Sequence, residues 1–79
     1  MMKKTERIQL LIEECESWLV DIKNYLKAGR IEDARQYRFA IEGARMAARH
    51  LLGDEKVEGR IADLSSRAFD LIEVSLANR

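Results

Sequence analysis

The chain predicts an all-α fold, an antiparallel up-down-up three-helix bundle, and three observations carry that expectation. Apolar residues recur at steps of three and four through three successive segments. Proline is absent, and two of the four glycines, Gly29 and Gly53, fall between the segments. The composition, 47% hydrophobic and 35% charged, suits helices that are half buried and half solvated. Seventy-nine residues form one domain, 1–79, near the size where a single core only just suffices and a second copy often adds burial.

The first helix is expected over about 5–28. Ile8, Leu11, Cys15, Trp18, Ile22 and Tyr25 step along it, with Ile12, Leu19 and Leu26 beside them. The nine share an arc of about 140°, a wide stripe to bury. Lys27 favours the negative end of the helix dipole, and Gly29 supplies the left-handed residue that ends a helix. Leu10 and Val20 lie on the back of this helix.

The second helix is expected over about 31–52, with smaller apolar residues: Ala34, Tyr37, Ile41, Ala44, Ala48 and Leu51. Small side chains let neighbouring helices approach closely, and Ala40, Gly43 and Ala47 extend the small surface sideways. Glu32 and Asp33 near its start and Arg49 and His50 near its end all suit the dipole. Gly53 closes it, and Asp54 is a good N-cap for a third helix over about 54–77. There Val57, Ile61, Leu64, Ala68, Leu71 and Ser75 step by four and three, while Ala62, Phe69, Ile72 and Leu76 widen the apolar arc to about half the wheel. Short connections at 28–30 and 53 force consecutive helices to run antiparallel. An extended helical hairpin completed by dimerisation is the alternative, supported by Leu10, Val20 and the broad face of the third helix.

Charge and chemistry narrow the function. Fourteen basic residues balance fourteen acidic ones, so bulk charge draws the chain neither to nucleic acid nor to anionic membrane. No apolar run is long enough to cross a bilayer, and the start lacks the apolar stretch of a signal peptide, so a soluble cytoplasmic protein is expected. A bacterial or phage source fits such a chain. One cysteine, Cys15, excludes an intrachain disulfide and sits in the apolar stripe, where a thiol behaves as a small hydrophobe with a raised pKa. His50 has no second histidine and no glutamate three residues before it, which removes the usual helical metal motifs. Glu13, Glu14 and Glu16 resemble part of the EExxE magnesium motif of all-α nucleotide pyrophosphohydrolases, but Ser17 stands at its last position and no ExxD follows. The expectation is a protein that is not an enzyme and has no metal or cofactor.

The binding surface expected from sequence lies on the second helix. Arg35, Arg38, Arg45 and Arg49 fall within about 80° of one another, interrupted by Glu42. Phe39, Met46 and His50 form a second stripe beside them, and arginine, methionine and aromatics are enriched in protein interfaces. Two readings stand. In one, the arginines pair with acids and a neighbouring helix covers Phe39 and Met46; in the other, these seven residues meet a partner protein or a second copy of the chain. A nucleic-acid accessory role for the arginine stripe is the alternative, since four arginines can neutralise several phosphates.

The stretch YLKAGRIEDARQYRFAI, Tyr25 to Ile41, resembles the helix-turn-helix corner of tetratricopeptide repeats and of the MIT-like three-helix domains that bind helical tails of membrane-remodelling filament proteins. Gly29, Ile31 and Ala34 match in spacing, whereas Tyr37 and Ala40 come one residue early. The closing SRAFDLI is similar to the last helix of those three-helix domains. The resemblance covers about a fifth of the chain and implies a helical peptide-binding or scaffolding module in kind. Together these readings predict a self-associating protein–protein interaction module, an adaptor, regulator or inhibitor of a larger protein. The fragments GRIED at 29–33 and GRIAD at 59–63 are expected to differ in role, one an αα corner and the other an echo inside the third helix.

Overall fold

The protein is a three-helix bundle, described by a computed structural model over residues 3–78. Helix α1 spans Lys4–Lys27, α2 spans Ile31–Ala47 and runs on into a π-helical turn at Ala48–Leu52, and α3 spans Glu55–Ala77. Each helix packs against both others, so the bundle, and not the extended hairpin, is the architecture. No strand occurs among the described residues, and no described helix is long and apolar enough to cross a membrane. The molecule is elongated, 45 × 21 × 14 Å, as expected for side-by-side helices of about 24 residues at 1.5 Å per residue.

The ends of the elements follow their local chemistry. The Glu6 carboxylate reaches back 3.3 Å to the Lys3 backbone N–H at the start of α1. At the other end Gly29 has a φ of 75°. That conformation lets the N–H of Arg30 donate to the Tyr25 carbonyl at 2.8 Å and that of Gly29 to the Leu26 carbonyl at 3.1 Å. These two hydrogen bonds are the glycine-dependent pair that satisfies terminal carbonyls and turns the chain back. Gly53, with a φ of 60°, takes the same left-handed conformation after the π-turn. Asp54 then caps α3, accepting from the N–H groups of Lys56 at 3.1 Å and Val57 at 3.2 Å. Gly59, by contrast, lies inside α3. GRIED is therefore a corner and GRIAD is helix.

The core draws on all three stripes. Ile12, Cys15, Leu19 and Ile22 are buried from α1, Ile31, Ala34, Ile41 and Ala44 from α2, and Val57, Ile61, Leu64, Ala68 and Ile72 from α3. Each helix contributes one fully buried isoleucine, Ile22, Ile41 and Ile61. Removing such a side chain to alanine costs about 2–5 kcal/mol. Tyr25 and Tyr37 meet across the corner with ring centroids 5.4 Å apart, and the Arg30 guanidinium sits 5.0 Å over the Tyr25 ring.

The π-turn corrects one expectation. Leu51, placed on the buried stripe by α-helical stepping, is instead the most exposed large apolar residue among the described residues, at 83%. The i→i+5 winding of a π-turn advances each residue by less than the 100° of an α-helix. Counting from buried Ala48, that lag carries Leu51 out and brings Leu52 round to pack on the core.

Candidate functional site on the second helix

The seven residues expected to meet a partner separate into two groups. Phe39 and Met46, at 64% and 44% exposure, point outward with exposed His50. Phe39 borders α3 along one edge, and both side chains stay largely open to solvent. Between them lies Gly43, and a Cβ built on it meets nothing within 4 Å. Glycine in mid-helix costs about 1 kcal/mol relative to alanine, and here no intrachain contact requires it. Exposed Ala40 and half-buried Ala47 lie beside it, so small residues separate the aromatic from the methionine on this face.

The arginines turn mostly the other way, toward α3. Arg45 donates through Nε to Glu42 at 3.0 Å, with both side chains less than a third exposed. Glu42 also accepts a hydrogen bond from buried Ser65 of α3. The Ser65 hydroxyl is the main cause holding the Glu42 carboxyl below its usual range; burial opposes it, and Arg45 and Arg38 add to it. Arg38 lies with its guanidinium 5.0 Å over the Phe69 ring. Its Nε is shielded from solvent with no hydrogen-bond partner among the described residues. Arg35 pairs with Glu32 at 2.7 Å on the surface, and Arg49 lines the cleft at the α2–α3 connection beside Asp54, Glu55 and Glu58. The stripe is thus two local ion pairs, at Arg35 and Arg45, one stacked guanidinium at Arg38, and an exposed Arg49.

Wheel reasoning missed two features. Phe69, counted in the apolar arc of α3, is 45% exposed and closes with Phe39, Arg35, Arg38, Ile72 and Glu73 around a cleft of about 90 Å³ between α2 and α3. A second, apolar groove runs between α1 and α3, where adjoining clefts of about 350 and 410 Å³ share Lys23, Leu71 and Val74. The width of the α3 stripe, half the wheel, was the sequence signal for both.

The groups considered for chemistry do not converge. Cys15 is fully buried, and burial, with Glu14 and Glu16 nearby, pushes its thiol up to about 11. Glu13 accepts from Gln9 at 3.1 Å, and Glu16 lies 3.5 Å from Arg60. Among the described residues no group of three histidine, cysteine or acidic side chains is placed to hold a metal ion. No protein-family model matches this chain, and neither a curated protein nor a solved structure does.

Proposed function

We propose that this chain is a small non-enzymatic helical module that works by protein–protein contact through the outer face of α2. In this reading it self-associates and acts as an adaptor, regulator or inhibitor of a larger protein. The observation that carries the reading is the pair Phe39 and Met46, both exposed on either side of a glycine that the monomer does not need. Exposed apolar groups grouped on one face mark contact surfaces more often than scattered ones do. Arg35 and His50 provide a polar border, as interface rims do.

The nucleic-acid alternative draws less support from the same helix. A phosphate-binding stripe needs free guanidinium groups, whereas Arg35 and Arg45 have carboxylate partners and Arg38 lies over Phe69. Amide chemical shifts recorded over a dilution series test the proposal. Concentration-dependent changes confined to the outer face of α2 support it. Changes centred on the α1/α3 groove overturn the choice of face, and a steep salt-dependent response to added DNA or RNA favours the alternative.

A further inference from the structure

We infer that the partner seated on the outer face of α2 is a second copy of the same helix, packed antiparallel about position 41. The inference rests on the contact face proposed above and adds its occupant and register. From its N-terminal end that face presents Glu32, Gln36, Phe39, Gly43, Met46 and His50. An antiparallel two-fold contact pairs residue i with residue 82 − i of the second copy, because both members of each pair are equally distant from the centre. Phe39 then faces Gly43 of the second copy, a large exposed ring opposite the gap where a Cβ would meet nothing. Gln36 faces Met46, and Glu32 faces His50.

Charge selects this orientation over the parallel one. Glu32, whose side chain is 81% exposed even with Arg35 paired to it, stands at the acidic start of α2, and Arg49 and His50 stand exposed at its far end, where Arg49 supplies the positive charge. Antiparallel pairing brings acidic start to basic end twice and opposes the two helix dipoles. Parallel pairing would set Glu32 against its own copy and the basic ends against each other. One helix pair buries less than the roughly 800 Å² per partner of a standard interface, so the dimer is expected to be reversible over the concentrations tested.

The experiment is sedimentation equilibrium of the full chain from about 5 to about 500 µM, with circular dichroism melts to show that every variant is folded. Gly43→Gln fills the gap without touching the monomer's own packing and is expected to weaken the dimer more than about tenfold. His50→Glu, which sets a carboxylate against Glu32, and Glu32→Lys, which brings a cation to the Arg49 end, are each expected to weaken it about fivefold, and the two together to restore it, since opposite charges then face each other. A dimer that Phe39→Glu with Met46→Glu splits, but that Gly43→Gln and the charge swap leave unchanged, overturns the register and keeps the face. A wild type that stays monomeric throughout overturns the second copy as occupant. A dimer indifferent to every one of these substitutions overturns both the inference and the contact face beneath it.

Discussion

Ser65 on α3 donates a hydrogen bond to Glu42 on α2, and the same carboxylate holds Arg45 at 3.0 Å. This polar tie, set beside the apolar core, fixes how α2 is rotated against α3. It draws Arg45 off the surface, while Phe39 and Met46, farther round the same helix, stay exposed.

The tie makes stability depend on acid. Glu42 has a folded pKa below its ordinary value of 4.5, so its contribution is fully present above that value and is lost as pH falls through the lower folded one. Glu42→Gln is expected to flatten this part of the acid transition, and Ser65→Ala to cost about 2 kcal/mol at neutral pH. Urea denaturation from pH 7 down to about pH 3 reads both. A wild type and Glu42→Gln whose stabilities fall in parallel over that window contradict the role of the tie.

The glycines are expected to answer alanine in opposite ways. Gly43→Ala removes a mid-helix glycine with open space beside it and is predicted to stabilise the dilute monomer by about 1 kcal/mol, about 5 °C in Tm. Gly29→Ala and Gly53→Ala force an L-residue to a φ of 75° or 60° and are predicted to cost about 1–2 kcal/mol each. Thermal melts at low concentration distinguish the two signs.

Adjacent leucines in the π-turn should also differ. Leu51→Lys is predicted to change stability by less than about 0.5 kcal/mol, whereas Leu52→Ala should cost about 1–2 kcal/mol because Leu52 packs on the core. The reverse order would mean that the segment winds as an ordinary α-helix, with Leu51 inside.

Cys15 should be chemically silent in the native protein. With its thiol at about 11 instead of 9.0, it holds about a hundredfold less thiolate near neutral pH, and it is buried as well. Labelling by a disulfide reagent at pH 8 is expected to proceed only as fast as the protein unfolds. Rapid labelling without unfolding would place Cys15 outside the core.

What the sequence made legible was whatever depends on local chemistry. The three amphipathic stripes, the left-handed glycines at 29 and 53 and the Asp54 cap are all settled within a few residues, and the structure has them where stepping and capping put them. Leu51 was not legible, because periodicity assumes a constant angle per residue and the π-turn changes it. The arginine stripe was half legible. A wheel places Arg35, Arg38, Arg45 and Arg49 on one face, but Ser65 and Phe69, which determine the surroundings of Arg45 and Arg38, lie twenty or more residues away and reach them only through the packing of α3. Exposure of Phe39 and Met46 was an open choice in the sequence for the same reason.

The most direct test of the α2 contact face is the solution mass of the wild type and of Phe39→Glu with Met46→Glu, measured with their melting temperatures. The face predicts a reversible wild-type dimer, and a variant that is monomeric yet melts within a few degrees of it, since both side chains are exposed. A variant that unfolds, or one that associates as strongly as the wild type, would contradict it.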